Sequence, residues 1–330
     1  MHSNFSHIYY EKAALESEYA NVVLARFPKA KLIEISDYKD IFNRKRQDWR
    51  LQKESLKLIL AKKKSEFLYA GSDVTPNFNQ KNFYYNTLIM NCIYDCHYCY
   101  LQGMYPSANI VIFTNLDDYF QKTDEVLNEQ KEMYLSISYD TDLLSFENIV
   151  PYCSKWIEFA SKRLNIKIEL RTKSANYSAI KHLKPISNFV LAWTLSPENI
   201  IKRFEPKTPG LRARLTAAAN AMADGWQVRL CLDPVLMVDG WTNDYLSLIE
   251  QIREALPMSD LHDVSLGSFR MNKDYYQTTR DMRTDSELLH FPYKKSGKMV
   301  GYEENSKEQA LNLLKDRLGA FMPDSRIFTI

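Results

Sequence analysis

Glycine and long apolar runs are both scarce in this chain of 330 residues. It has 9 glycines, and neither G-x-G-x-x-G nor G-x-x-x-x-G-K-S/T occurs, which excludes dinucleotide-binding and P-loop folds. No stretch of about 18 apolar residues is present, which excludes a transmembrane helix. The N-terminal residues also lack the apolar core of a secretory signal. We therefore expect a cytoplasmic protein with no membrane partner.

An excess of charge of one sign is missing too. Lysine and arginine total 43, aspartate and glutamate total 41, and the formal net charge of +2 identifies no class of partner. Charged residues make up 25% of the chain and hydrophobic residues 45%, so extended disorder is excluded. A chain of this length can bury the core of one large α/β domain or of two smaller ones.

The five cysteines do not suit a disulfide framework, because their number is odd and a secretory signal is lacking. Three of them, Cys92, Cys96 and Cys99, form a C-x3-C-x2-C run. Thiolates suit zinc, Cu(I) or iron–sulfur clusters, and a structural zinc site usually takes four ligands. Three thiolates on one loop can hold three irons of a 4Fe–4S cluster and leave the fourth open. His97 offers the alternative of a Cys3His zinc site.

The C-x3-C-x-aromatic-C pattern, with Tyr98 as the aromatic residue, resembles the cluster motif of the radical S-adenosylmethionine (SAM) superfamily. The resemblance implies that Cys92, Cys96 and Cys99 hold a 4Fe–4S cluster whose open iron binds SAM. It also implies that one electron cleaves SAM to methionine and a 5′-deoxyadenosyl radical, which abstracts a hydrogen atom. A reductase or flavodoxin-type protein is the electron donor that such chemistry implies.

Further motifs resemble the spore photoproduct lyase family of DNA-repair enzymes. Residues 96–102, CHYCYLQ, resemble the family's cluster loop. The similarity extends from about residue 80 to the C-terminus. Shorter matches follow in the family's order and spacing at 115–118, 172–173, 204–206 with Thr208, 214–215, 217–218, Pro234 and 240–241. The resemblance implies an enzyme that converts 5-thyminyl-5,6-dihydrothymine in DNA to two thymines, beginning with hydrogen abstraction at C6 of the dihydrothymine half.

One residue of the family's pattern is missing. The family's lyase carries a cysteine just after the third strand, which donates a hydrogen atom to the thymine radical. The matching stretch at 136–142 reads SISYDTD and places Tyr139 there. A phenol O–H is a poorer donor to a carbon radical than a thiol. Three interpretations stay open: another residue donates, the substrate differs, or 5′-deoxyadenosine returns the hydrogen atom.

Strand-like runs alternate with helix-length segments, which predicts parallel β/α units. The fold class is therefore α/β, and the fold of the resembled superfamily is a partial (β/α)6 barrel. The strand-like runs are 83–90, 109–114, 133–138, 166–172, 188–194 and 226–232, with a seventh at 263–268. We predict a basic, mainly helical extension at 1–80, the barrel at 81–270, and a substrate-binding hairpin and helix at 271–330.

Residues 44–64 are strongly basic, with nine lysines and arginines against two acidic residues, and their apolar residues have helical spacing. A basic amphipathic helix has either a solvated face or a face that contacts phosphates. Near the C-terminus, the Ser306-x-x-Gln309 pattern predicts the capped start of a helix that runs to Leu318.

Polar residues that end barrel strands are candidates for SAM binding, because chemistry gathers at the C-terminal ends of parallel barrel strands. Each also has a plain structural interpretation, such as core packing or capping of a strand. The candidates are Tyr98, Ser138, Asp140, Lys173, Thr194 and Ser196.

Four residues are candidates for hydrogen transfer. The resemblance implies that Tyr98 and Tyr100 relay a hydrogen atom, and Tyr139 stands in the donor's place. Cys231 shares a strand face with Arg229 and Asp233, so it is a second candidate donor; the alternative is a buried, inert thiol.

The candidates for substrate contact are Arg270, Tyr293, Lys294 and Lys298. Residues 294–298 have the composition of a hairpin tip. Such a tip either touches a nucleic-acid backbone or is an ordinary basic turn.

Three functional hypotheses follow. The first is a radical SAM lyase that acts on a thymine lesion extruded from DNA. The second is a related radical SAM enzyme that rearranges or modifies a modified pyrimidine in DNA or in a nucleotide. The third is a zinc-stabilised nucleic-acid-binding module. In each case we expect a monomer.

Overall fold

The computed structural model describes residues 5–71 and 78–330. Contacts divide the chain into two compact units, Met1–Ile93 with Met104–Arg171, and Tyr94–Gly103 with Thr172–Ile330. The strands are β1 (His7–Glu11), β2 (Lys31–Ile35), β3 (Leu58–Ala61), β4 (Tyr69–Ala70), β5 (Phe83–Tyr85), β6 (Ile89–Met90), β7 (Ile110–Phe113), β8 (Met133–Ser136), β9 (Ile166–Thr172), β10 (Phe189–Thr194), β11 (Gln227–Val235), β12 (Asp263–Ser268), β13 (Arg270–Asn272), β14 (Lys294–Ser296), β15 (Met299–Gly301) and β16 (Ile327–Thr329).

The α-helices lie between the strands along the chain. They are α1 (Glu18–Arg26), α2 (Lys39–Phe42), α3 (Trp49–Glu54), α4 (Leu101–Met104), α5 (Leu116–Gln130), α6 (Tyr152–Ser161), α7 (Glu198–Phe204), α8 (Leu211–Ala223), α9 (Trp241–Ala255), α10 (Lys273–Met282) and α11 (Glu304–Gly319). Within the described ranges, none of them is long and apolar enough to cross a membrane.

The first unit contains a mostly parallel sheet in the order β2-β1-β3-β7-β6. Its central strands β3 and β7 read LILA and IVIF, and every residue in them is buried. Strands with both faces covered favour such continuous apolar runs. Strand β6 is the antiparallel edge of this sheet. A second set of strands in the same unit has β5, β8 and β9 in parallel, with β4 antiparallel to β5.

The second unit contains the parallel strands β10, β11, β12 and β16. Strand β10 is entirely buried, and β11 is buried except at Gln227, Asp233 and Pro234. The basic segment near the C-terminus forms the antiparallel hairpin β14–β15, with Gly297 at φ +57° in its turn and β13 paired to β15. The hairpin prediction is therefore confirmed.

The run predicted as one strand at 83–90 is divided between two sheets. Strand β5 ends at Tyr85, and β6 begins at Ile89. Thr87 lies between them, where its hydroxyl donates to Asp140 and its carbonyl accepts from Tyr119. The backbone at Thr87 is thus held outside both sheets. The run at 109–114 is also not a barrel strand: it forms β7, whose partners are β3 and β6, because periodicity cannot say which sheet an apolar run joins.

The basic helix predicted within residues 44–64 is wrong in its second half. Helix α3 ends at Glu54, and Leu58–Ala61 is the buried strand β3. A short apolar run is compatible with either a helix or a strand, and here burial on both faces favours the strand. The extension predicted as mainly helical therefore also contains parallel strands. The predicted domain boundaries at residues 80 and 270 stay predictions.

The start of the last helix was predicted too late. Helix α11 begins at Glu304, and the carboxylate of Glu303 accepts from the backbone N–H of Ser306 at 3.3 Å. Glu303 thus takes the capping position that the pattern assigned to Ser306.

Candidate active site

The cysteine loop follows β6 and leads into α4. Cys96 is buried, Cys92 and Cys99 are half-buried, and none of the three forms a disulfide. The backbone N–H of Cys99 donates to the carbonyl of Cys96 at 3.1 Å. In the first unit, Lys53 Nζ donates to the carbonyl of Cys92 at 2.5 Å. The backbone of this loop is therefore held at Cys92 by a lysine from elsewhere in the chain.

The donor set suits a cluster better than a single zinc ion. In the part of the chain that the structure describes, no three His, Cys, Asp or Glu side chains converge on one metal position. A cube of four irons takes each cysteine on a different iron, so its ligands need not converge. His97 is engaged elsewhere: its Nδ1 lies 2.9 Å from Ser286 Oγ, and its ring packs edge-on against Phe204. These contacts hold the His97 ring against Ser286 and Phe204, and the zinc alternative stays a prediction.

Tyr98 is held by a buried carboxylate. Its hydroxyl donates to Glu205 Oε1, and Ser196 Oγ donates to the same oxygen at 2.9 Å. Glu205 Oε2 forms an ion pair with Arg214 Nη2, and both side chains are completely buried. We call Tyr98, Ser196, Glu205 and Arg214 the Glu205 network.

All three side-chain nitrogens of Arg214 have hydrogen-bond partners. Its Nη2 also donates to Thr208 Oγ1 at 2.7 Å, its Nη1 to the carbonyl of Thr194 at 3.1 Å, and its Nε to the carbonyl of Pro209 at 2.8 Å. A buried charge without such partners is costly. The network therefore connects Tyr98, which lies between Cys96 and Cys99, to the end of β10.

Charges in the Glu205 network shift several pKa values. Burial alone raises the pKa of Glu205, but attraction to Arg214 and Lys173 outweighs it and lowers the pKa below its ordinary value. Burial and the neighbouring Glu205 raise the pKa of Tyr98 well above its ordinary range. Burial lowers the pKa of Lys173, but attraction to Cys96 and Glu205 more than offsets this, and the pKa is raised. Tyr98 thus stays a neutral phenol and Lys173 stays a cation.

Lys173 lies next to this network. It follows β9, is half-buried, and its Nζ is 5.3 Å from the centre of the Tyr98 ring. A cation in this place is suited to an anionic group bound beside the cysteine loop. Thr194 also contacts the Glu205 network, and Ser196 belongs to it. The carbonyl of Thr194 accepts from Arg214, and the hydroxyl of Ser196 donates to Glu205.

Tyr139 stands in different surroundings in the first unit. It follows β8 and is 36% exposed. Its ring stacks on Tyr85, with centroids 4.1 Å apart and planes at 25°, and Tyr85 stacks in turn on Tyr69 at 5.2 Å. Lys63 Nζ donates to the Tyr69 hydroxyl at 3.0 Å. Three aromatic rings therefore form a column that ends at a partly exposed tyrosine.

Asp140 and Ser138 lie at the same strand end. Asp140 Oδ2 accepts from Thr87 Oγ1 at 2.5 Å and from the Tyr105 hydroxyl at 3.1 Å. Burial, followed by the charge of Asp140, raises the pKa of Tyr105. Ser138 Oγ accepts from the backbone N–H of Arg171 at 2.7 Å. Both candidate SAM ligands are therefore already part of the fold's own hydrogen bonding.

Strand β11 carries the second candidate donor. Cys231 is fully buried and lies in register with Thr194 on β10 and Ser265 on β12. Arg229, on the same strand face, pairs with Asp263.

Arg270 Nη1 forms an ion pair with Asp233 at 2.9 Å. A Cβ at Gly267 would lie 2.6 Å from Asp233 Oδ1 and 2.9 Å from Arg270 Nη1, so a larger residue there would force this ion pair to shift. Arg270 is thus a paired residue and only a third of its side chain is exposed.

The hairpin candidates divide by exposure. Lys294 and Lys298 are exposed, whereas Tyr293 packs among Phe269, Phe291 and Tyr302. Tyr293 therefore contributes to an aromatic cluster under the hairpin. Tyr100, the remaining candidate, is half-buried in the cysteine loop.

Glu205, Thr208 and Arg214 lie in or beside segments that resemble the family's motifs, but the sequence predicted no role for them. The sequence does offer one signal for Glu205 and Arg214: an acidic and a basic residue lie nine positions apart, each in a segment that resembles the family's motifs. Such a pair can be a surface contact, and only the fold shows that both members are buried around Tyr98.

Comparisons with known proteins agree along almost the whole chain. The family model described as spore photoproduct lyase matches residues 6–329. Spore photoproduct lyase of Bacillus subtilis (strain 168) is 21% identical over 249 residues, which are 72% of each chain. Spore photoproduct lyase of Geobacillus sp. (strain Y412MC61) is 23% identical over 253 residues, which are 73% of this chain and 74% of the other.

Solved structures confirm the fold prediction. A spore photoproduct lyase in complex with the dinucleoside spore photoproduct has a TM-score of 0.83 at 19% identity and covers 98% of both chains. A variant of that lyase with bound SAM and the dinucleoside spore photoproduct has a TM-score of 0.82 over the same share of both chains. The α/β fold with a partial parallel barrel is therefore the fold of this chain.

Proposed function

The chain belongs to the spore photoproduct lyase family of radical SAM lyases, and we propose that it converts a thymine dimer of the spore photoproduct type in DNA to two thymines. The observation that carries the proposal is the match over residues 6–329 together with the intact cysteine loop at 92–99. An electron donor of the reductase or flavodoxin type, a monomeric state and a cytoplasmic location remain predictions from the sequence.

Cys92, Cys96 and Cys99 would hold a 4Fe–4S cluster, and Lys173 would pair with the carboxylate of SAM. When bound, these groups supply a 5′-deoxyadenosyl radical that removes a hydrogen atom from C6 of the lesion. The Glu205 network keeps Tyr98 neutral and directs its hydroxyl at a carboxylate, so the ring has a fixed orientation beside the cysteines. Lys294 and Lys298, exposed on the hairpin, would contact the phosphates that flank the lesion.

The last step needs a hydrogen atom for the thymine radical that remains after the linking carbon–carbon bond breaks. We propose that Tyr139 supplies it: the O–H bond of the phenol breaks, a C–H bond forms on the base, and the phenoxyl radical takes up one electron from the external donor and a proton from solvent. Tyr139 follows β8 and is 36% exposed, whereas Cys231 is fully buried. This exposure at a strand end supports Tyr139 over Cys231 as the donor.

The test is anaerobic incubation of the reconstituted protein with SAM, dithionite and the dinucleoside spore photoproduct. We expect thymidine and 5′-deoxyadenosine in the wild type, and neither product in Cys96→Ala. If 5′-deoxyadenosine forms and thymidine does not, the lyase proposal is wrong although the cofactor assignment stands.

A second candidate function is the modification of another altered pyrimidine by the same cofactors. The observation that favours it is the tyrosine in the donor's place, because a different final step suits a different product. Formation of 5′-deoxyadenosine with a modified pyrimidine, but not with the dinucleoside spore photoproduct, would support it.

A further inference from the structure

Arg283 connects the C-terminal part of the second unit to the cysteine loop. It directly follows α10 and is 3% exposed. Its Nε donates to Gln102 Oε1 at 2.5 Å, and its Nη2 forms an ion pair with Asp95 Oδ1. One planar guanidinium thus holds two residues of the loop region, one on each side of Cys96 and Cys99.

Gln102 passes this contact on to the cysteine backbone. Its Nε2 donates to the carbonyl of Cys96 and to the carbonyl of His97, both at 3.0 Å. Asp95, the other partner of Arg283, donates its backbone N–H to the carbonyl of Pro206 at 3.1 Å. The loop conformation around Cys96 therefore depends on side chains that Arg283 orients.

The surrounding contacts leave this arrangement little freedom. A Cβ at Gly103 would lie 2.3 Å from the carbonyl oxygen of Tyr275, so the start of α10 lies directly against α4. Ser286, three residues after Arg283, contacts His97 Nδ1 at 2.9 Å. Residues 275–286 thus contact the cysteine loop at three separate points.

We propose that Arg283 is a positioning residue for the iron–sulfur cluster: it holds the loop of Cys96 and Cys99 in the conformation that ligates iron. The inference rests on the proposed function, because it needs a cluster on these cysteines. Groups that orient metal ligands typically change metal affinity by about 10- to 100-fold when they are removed. The geometry requires a planar fork with two separate donors, which lysine cannot supply.

The measurement is the rate at which an iron chelator removes the cluster, followed by the loss of visible absorbance under argon. We expect Arg283→Met to lose its cluster about 10- to 100-fold faster than the wild type. Arg283→Lys is expected to lose it nearly as fast, because it retains the charge but not the fork. A wild-type rate in Arg283→Met would overturn the proposal, and full rescue by lysine would show that charge alone suffices and would overturn it as well.

Arg203→Met is the matched control. Arg203 pairs with Glu287 in the same region of the chain, but both side chains are substantially exposed, so the rate of cluster loss should equal that of the wild type. If Arg283→Met does not fold, as circular dichroism of the cluster-free protein would show, Gln102→Met decides. This variant removes both donors to the loop carbonyls and leaves the ion pair of Arg283 with Asp95.

Gln102→Met is expected to accelerate cluster loss, and a wild-type rate would overturn the proposal. These outcomes are distinct from a failure of the proposed function. If the wild type itself binds no iron–sulfur cluster, the proposed function is wrong; if the wild type binds one and neither variant changes its loss, only the role of Arg283 is wrong.

Discussion

Tyr98 and Tyr139 are both candidates for hydrogen transfer, yet their surroundings are opposites. Tyr98 is buried, and its hydroxyl is committed to a carboxylate that is itself paired with a buried arginine. Tyr139 is 36% exposed, and its ring is held by stacking on Tyr85. The comparison teaches that Tyr98 is fixed by buried polar contacts, whereas Tyr139 is held by ring stacking and leaves part of its ring exposed.

The Glu205 network should carry far more stability than an exposed ion pair. Arg214→Met leaves the carboxylate of Glu205 buried without its cation, and we expect a loss of about 3–5 kcal/mol in the free energy of unfolding. Lys202→Met, which breaks a surface pair with Glu198, should cost about 0–1 kcal/mol. Denaturant unfolding of the cluster-free protein checks both values. Equal effects in the two variants would contradict the assignment of the network as a buried anchor.

Removing one hydroxyl should separate the two tyrosines. Tyr98→Phe takes a donor from the buried Glu205 Oε1, and leaving such a group less satisfied costs about 1–3 kcal/mol. Tyr139→Phe keeps the stacked ring and should change stability by about 0.5 kcal/mol or less. Denaturant unfolding of the cluster-free protein measures both changes. A destabilisation by Tyr139→Phe as large as that by Tyr98→Phe would show that Tyr139 is also an anchor.

Acid should weaken the network in a defined direction. The pKa of Glu205 is lower in the folded protein than its ordinary value of 4.5. Its ionised form therefore stabilises the fold fully above about pH 4.5, and this contribution is lost as the pH falls through the lower, folded pKa. Unfolding free energies between about pH 3 and pH 6 should fall less steeply towards acid in Glu205→Gln than in the wild type. An unchanged slope would show that Glu205 does not titrate as the contacts indicate.

The sequence predicted the cysteine loop and the fold class because both depend on local patterns. Three cysteines at fixed spacing identify the loop without any tertiary information, and alternating strand and helix patterns identify the α/β class. The Glu205 network was not predicted, because the contact of Tyr98 with Glu205 joins residues 107 positions apart in the chain. The contacts of Arg283 with the cysteine loop were not predicted for the same reason, since its partner Asp95 is 188 positions away in the chain.

Errors of a second kind arose where an apolar run suited more than one structure. Ile59 and Leu60 fitted a helical face, yet they lie in the buried strand β3. Ile110–Phe113 was correctly predicted as a strand but assigned to the barrel, whereas it pairs with β3. The spacing of apolar residues indicates whether a segment is a helix or a strand. Only the strands that it pairs with determine which sheet it joins.

The origin of the final hydrogen atom tests the account most directly. Phenol and thiol hydrogens exchange with solvent, so turnover of the dinucleoside spore photoproduct in heavy water should place one deuterium in the thymidine product if Tyr139 donates. Mass spectrometry should find this deuterium with the wild type and with Cys231→Ser, and should not find it with Tyr139→Phe. Deuterium that persists in Tyr139→Phe and disappears in Cys231→Ser, or thymidine without deuterium from the wild type, would contradict the role of Tyr139.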